Sequence, residues 1–259
     1  MLFAEKEQNL IEWFRELDKS EIMLSPESDQ TEKICMSLMD NENWQHWIDS
    51  SAKDAPPPDF YNETENLMLE VMRVDDHGFI KDGKVINPTY RREHEIEKEM
   101  KKAGIIDQFP DLQTVFINAV TDLPTNEDHN YQFYLDNFKR VVSNHKKKIN
   151  DYKANHPNHR IIFFVFDESS AYWESDEADT IVKEGKMLIG EPHFWFVDKK
   201  FVDIFYHSEI DYLIWVTPYK MLFNSSFPHP LPRACVFDCK NATMSLRKYD
   251  ASFMVSVEE

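Results

Sequence analysis

The sequence predicts an α/β fold, built as a mixed, partly parallel sheet flanked by helices, with an N-terminal helical segment. Three observations lead there. Ile161-Ile162-Phe163-Phe164-Val165-Phe166 is an unbroken apolar run of the kind found in strands buried on both faces. Short apolar runs alternate along the chain with segments of helical apolar spacing. The 259 residues are 42% hydrophobic and 14% aromatic, enough to build a sizeable core and too apolar for a disordered chain.

The first fifty residues read as helical, because Leu10, Ile11, Phe14 and Leu17 recur at helical spacing. Asp29 followed by Glu32 resembles a capping box ahead of Ile34, Leu38 and Met39. Trp44, Trp47 and Ile48 mark a further short apolar face. Ala55-Pro56-Pro57-Pro58 breaks the helical pattern and starts extended chain. Residues 59–61 and 67–74 read as two strands joined by the polar turn Asn62 to Asn66. Thr89 to Ala103 reads as a charged helix stopped by Gly104. Val115 to Val120 reads as a buried strand, and Thr121 to Asn130 as a polar loop with Asp128 or Asn130 as a helix cap.

Tyr131 to Tyr152 carries the clearest helical stripe, including Tyr134, Phe138, Val142, His145 and Ile149. The central strand Arg160 to Phe166 follows, then a helix over part of 177–187. Strands are expected at Phe194–Val197 and Tyr212–Val216 with a short helix over 199–206 between them. The tail after Pro218 reads as irregular, with a strand permitted at Phe253 to Val257. These elements divide into a helical segment 1–54 packed on the core, an α/β core 55–220 and an irregular extension 221–259, all in one globular domain.

The formal net charge is -18. Such a chain is repelled by nucleic acid at long range, so nucleic acid as a partner is disfavoured unless contact is local or metal-assisted. The same charge suits an acidic interaction or inhibitor module that binds a basic partner protein. Only 5 glycines are present, with no glycine-rich phosphate loop. Cys35, Cys235 and Cys239 are odd in number and lack zinc-type spacing, which predicts free thiols in a reducing, cytoplasmic setting. No apolar run reaches the ~20 residues of a membrane helix, and Met1-Leu2-Phe3-Ala4-Glu5 does not read as a signal peptide.

The chemistry concentrates on the predicted hairpin. In its second strand Leu67, Leu69, Val71 and Arg73 share one face, while Met68, Glu70, Met72 and Val74 share the other. Glu70 therefore sits among apolar neighbours, where a charge is costly unless paired or metal-bound. Asp59 lies on the partner strand, and two carboxylates side by side make an oxygen-rich cradle for a divalent cation.

Pro58-Asp59, a spacer, then Glu70-Val71-Met72 resembles the active-site signature of the PD-(D/E)XK nuclease superfamily, whose pattern is Pro-Asp followed by Glu-X-Lys. Met72 stands where that lysine belongs. The resemblance implies a restriction-endonuclease-like core and a metal-dependent nuclease-like protein acting on phosphodiester bonds, divergent or inactive, with Mg or Mn as cofactor. Asp59 and Glu70 would be catalytic metal ligands, with the Val71 carbonyl as a third. Met72 neither carries charge nor donates a hydrogen bond, so another cation such as Lys81 or Lys84 would have to replace the lysine. Lys139 and Arg140, on the basic stretch of the long helix, would approach substrate phosphate, with Arg91 and Arg92 competing for the role. Glu32 and Glu42 are the nearest candidates for the glutamate that the family often adds from a preceding helix.

Three weaker candidates remain. Asp75-Asp76-His77 combines acid and imidazole, though a solvated turn explains it as well. Glu127-Asp128-His129-Asn130 suits a helix cap or a closing loop. Asp167-Glu168-Ser169-Ser170 ends the central strand, where ligands bind in open α/β sheets and where a plain turn also fits.

Overall fold

A computed structural model describes residues 7–51, 58–81, 84–105, 108, 129–176, 190–220, 231–242 and 244–257. Its strands, in chain order, are β1 Ile22–Ser25, β2 Ile48–Asp49, β3 Phe60–Asn62, β4 Leu67–Val74, β5 Phe79–Lys81, β6 Lys84–Ile86, β7 Arg160–Asp167, β8 Tyr172–Ser175, β9 Gly190–Pro192, β10 Tyr212–Val216, β11 Ala234–Asp238 and β12 Met254–Ser256. Seven of them form one sheet in the order β1-β11-β10-β7-β4-β3-β2. The three at its centre, β4, β7 and β10, run parallel. β3 pairs antiparallel with β4, β11 antiparallel with β10, and β1 parallel with β11. The sheet is therefore mixed, as the alternation of apolar runs and helices predicts.

The two faces of the sheet follow from the two-residue period of each strand. Leu67, Leu69 and Val71 of β4 join Ile162, Phe164 and Phe166 of β7 in one core, covered by Leu10, Ile11 and Phe14 from helix Glu7–Arg15 and Ile34 and Leu38 from helix Asp29–Met39. Met68, Met72 and Val74 join Ile161, Phe163 and Val165 in the other. That second core is covered by helices Tyr131–Lys146, Ile149–Asn155 and Lys199–Phe205. The result is helix, sheet, helix, with β7 buried on both faces.

Several elements differ from the sequence reading. The N-terminal segment is not purely helical, because Ile22–Ser25 forms an edge strand on β11 and Ile48–Asp49 pairs with β3. The tail is not purely irregular either. Ala234–Asp238 is buried between β10 and β1, a run of 5 residues close after Pro232 and too short to show its period. Phe194–Val197 is no strand. It contains a one-turn 3-10 helix, Trp195–Val197, immediately before Asp198 caps the next helix through the Lys200 amide. Short apolar runs do not distinguish strand from turn by period alone. The long helical stripe breaks at residues 147–148 into two helices. Ser28, rather than Asp29, caps the second helix and forms the box with Thr31. Asn130 caps the long helix through the Phe133 amide.

The expected strand at 115–120, most of the loop 121–130 and the expected helix within 177–187 lie outside the described residues. Met254–Ser256 pairs with β8 in a small second sheet, β12-β8-β9. All three cysteines are buried and form no disulfide. Among the described residues no helix is long and apolar enough to cross a membrane.

Candidate functional site

The β3–β4 hairpin brings Asp59 and Glu70 together. Asn62 Oδ1 accepts from the Glu65 amide, and Asn66 turns the chain at φ 53°, a conformation asparagine tolerates. The resulting register sets Phe60 opposite Leu69, so Asp59, one residue before β3, comes alongside Glu70. The Asp59 carboxylate accepts a hydrogen bond from the Val71 amide at 2.7 Å. In an extended strand the N–H and C=O of one residue point to the same edge. The Val71 carbonyl therefore points toward Asp59 and away from β7, as a third ligand would require.

Glu70 is 5% exposed. Its Oε1 accepts from the Tyr152 hydroxyl at 2.7 Å and lies 2.7 Å from His145 Nδ1. Its Oε2 is buried with no hydrogen-bond partner. Burial and then the charge of Glu70 push the Tyr152 hydroxyl far above the ordinary tyrosine range, which keeps it a donor. Burial, then Glu70, push Asp59 up from 3.8 to about 7, with Glu7 adding to the rise and the Val71 amide and Lys148 opposing it. Two acids held this way repel each other and retain unused oxygen lone pairs, the arrangement a divalent cation relieves.

The other sequence candidates fall elsewhere. Met72 is buried in the core beneath the helices. Lys84 lies not on a loop but in the short hairpin β5–β6, and its side chain, like that of Lys81, is outside the described residues. That hairpin follows Gly78, which abuts Phe133 at the start of the long helix. His145 is twelve residues further along, about 18 Å at 1.5 Å per residue, so the hairpin sits away from Glu70. Lys139 and Arg140 are exposed. Arg140 donates to Asn137 Oδ1, and Asn137 in turn donates to Asp75 at the far end of β4. Arg92 pairs with Glu95 on its own helix, and the Arg91 side chain is outside the described residues. Glu32 and Glu42 are exposed, with Glu32 3.8 Å from Lys19. Glu7, His145, Lys148 and Tyr152 instead surround the two acids. His145 and Tyr152 were visible as polar members of an apolar helical stripe, but only the fold shows that they meet Glu70. Lys148 was visible as part of the basic stretch of the long helix, whereas Glu7 carried no sequence signal.

Asp75-Asp76-His77 is a structural junction. Asp76 is fully buried and accepts from the Ser170 amide and hydroxyl, the Tyr172 hydroxyl and His129. Asp76, His77 and His129 are close enough for one ion, but protein donors already occupy the carboxylate. Hydrogen bonds from His129 and Tyr172 and the charges of His129 and His77 more than offset a large burial penalty, and Asp76 stays well below the carboxylate range. Burial pushes Asp75 up to about 6.

Asp167 is equally closed. It accepts from Tyr134, Trp215 and the Ser169 amide and hydroxyl, with Lys220 Nζ 3.5 Å away, and Asp167, Ser169, Ser170 and Lys220 are all buried. Among the described residues, the carboxyl ends of the parallel strands thus hold a buried polar cluster in place of an open ligand crevice.

Comparison of the chain with protein-family models, curated proteins and solved structures finds no match.

Proposed function

We propose that the protein is a divalent-cation-dependent, nuclease-like phosphodiesterase of divergent design, with Asp59, Glu70 and the Val71 carbonyl as cation ligands. The observation that carries this reading is the buried, partnerless Oε2 of Glu70 beside the Asp59 carboxylate. An oxygen-only ligand set favours Mg²⁺ or Mn²⁺. The bound ion would lower the pKa of a coordinated water and neutralise the phosphate. A hydroxide so formed would attack phosphorus as the bond to the leaving oxygen breaks, and that oxygen would take up a proton. Lys148 supplies positive charge that Met72 cannot, and His145, held by Glu70, is placed to move the proton.

The test is a Mn²⁺ titration by calorimetry, run beside hydrolysis of bis(p-nitrophenyl) phosphate and of supercoiled plasmid. Wild type should bind and cleave, while Asp59→Asn and Glu70→Gln should do neither. Equal Mn²⁺ binding by all three proteins sinks the cation site. Binding without cleavage of either substrate sinks the phosphodiesterase reading.

The -18 charge favours a second reading, an acidic module that binds a basic partner. Recovery of a cationic protein with affinity falling steeply in salt, and no phosphodiesterase activity, would select it.

A further inference from the structure

A second cluster sits at the β3–β4 turn itself, and its ligand atoms include nitrogen. His156-Pro157-Asn158-His159 links helix Ile149–Asn155 to β7. The Arg160 amide donates to the Asn66 carbonyl at 2.9 Å, which ties this link to the β3–β4 turn carrying Glu63. His156 Nδ1 lies 3.5 Å from Glu63 Oε1, and His159 Nε2 lies 3.5 Å from Glu63 Oε2. Ligand atoms of all three residues lie within 4.8 Å of one another.

We propose that Glu63, His156 and His159 form a transition-metal site of the zinc class, separate from the Asp59–Glu70 pair. Two observations carry this independently of the phosphodiesterase reading. First, His159 is only 8% exposed, yet neither of its ring nitrogens has a hydrogen-bond partner. A buried imidazole left so is costly unless something else satisfies it. Second, the spacing suits ligation better than hydrogen bonding. Two ligands at about 2.0–2.1 Å from a tetrahedral ion lie about 3.3–3.4 Å apart, close to the 3.5 Å of each histidine–carboxylate pair.

The surroundings fix the rings. His156 packs on Tyr61 with centroids 4.3 Å apart, and the His159 amide donates to the His156 carbonyl at 3.2 Å. Glu63 is 62% exposed in its side chain, so a fourth position opens to solvent and suits a water ligand. Two imidazoles and one carboxylate select Zn²⁺, Co²⁺ or Ni²⁺ over Mg²⁺ or Ca²⁺. The two sites would therefore sort cations by ligand chemistry. An ion here also staples the hairpin turn to the start of the central strand.

The experiment titrates Co²⁺ into metal-stripped full-length protein in excess Mg²⁺, follows the visible d–d absorption, and then displaces Co²⁺ with Zn²⁺. Wild type should bind one Co²⁺ that Zn²⁺ displaces. Glu63→Gln and His156→Asn, both at partly exposed positions, should weaken binding at least ~10-fold. Glu70→Gln should leave it unchanged. His159→Asn should abolish the band if circular dichroism shows it folded, and if it unfolds the other two variants decide. No wild-type band, equal binding by Glu63→Gln and His156→Asn, or loss of the band in Glu70→Gln would each overturn the assignment.

Discussion

Replacing Asp59 with asparagine should flatten the pH dependence of stability in the metal-free protein. Asparagine keeps an acceptor for the Val71 amide, so the hairpin contact at 2.7 Å survives while the charge is removed. In the folded protein Asp59 holds its proton up to about 7, against an ordinary value of 3.8, because burial and Glu70 oppose its ionisation. A folded pKa above the unfolded one gives stability that is present at low pH and lost as pH rises through the folded value. At about 1.4 kcal/mol per pH unit, the displacement from 3.8 to about 7 corresponds to about 4 kcal/mol lost between about pH 4 and pH 8. Asp59 is partly exposed, so screening by solvent trims this to about 2–4 kcal/mol in practice. Urea unfolding of wild type and Asp59→Asn, followed by circular dichroism across this range, gives the difference between them and cancels groups they share. The variant should gain on wild type steadily as pH rises. Mn²⁺ at 100 times its dissociation constant should return about 2.7 kcal/mol to wild type at high pH and nothing to the variant. A difference constant within about 0.5 kcal/mol over the whole range would refute the burial and repulsion assigned to this pair.

Three further outcomes follow from the packing. Lys220→Met should destabilise by about 3–5 kcal/mol, because it leaves Asp167 charged and without its cation among Tyr134, Trp215 and Ser169. The double variant with Asp167→Asn should recover part of that loss, and additivity would contradict the pairing. Phe164→Ala, at the centre of β7 and wholly buried, should cost about 3–5 kcal/mol and lower the melting temperature by about 6–20 °C. Gly190→Ala should loosen β9, because Gly190 has φ +144° and an added Cβ would meet the Glu174 carbonyl oxygen at 2.0 Å. Unchanged amide exchange in Tyr172–Ser175 would count against that prediction.

Much of the fold was readable where local signals agree. Arg160–Asp167 declared itself by an apolar run, Leu67–Val74 by alternation that places Glu70 on one face, and Tyr131–Lys146 by a helical stripe with an asparagine cap. Ala234–Asp238 and Ile22–Ser25 did not, because each is short and takes strand form through partners distant in sequence, Ala234–Asp238 between Tyr212–Val216 and Ile22–Ser25, and Ile22–Ser25 on Ala234–Asp238. The site divided in the same way. Asp59 and Glu70 could be found from the hairpin, since strand register depends on residues close in sequence. Lys84 was a natural substitute for the absent lysine, and Lys139 and Arg140 natural contacts for substrate phosphate, but side-chain direction on a helix and the path of a following hairpin are settled by distant packing.

The sequence by itself determined that this is an α/β chain with a large aromatic core, that its charge is strongly negative, and that one buried strand carries an acid needing a partner. Only the tertiary structure decided what that acid meets. Tyr152 and His145, 82 and 75 residues further along the chain, close on Glu70 because their helices cover the same face of β4. Glu63 meets His156 and His159 for a similar reason, since parallel pairing of β4 with β7 brings the start of both strands to one end of the sheet. Hydrophobic period fixes which face a residue takes, whereas the partner across that face is fixed by how sheets and helices stack, which local sequence does not encode.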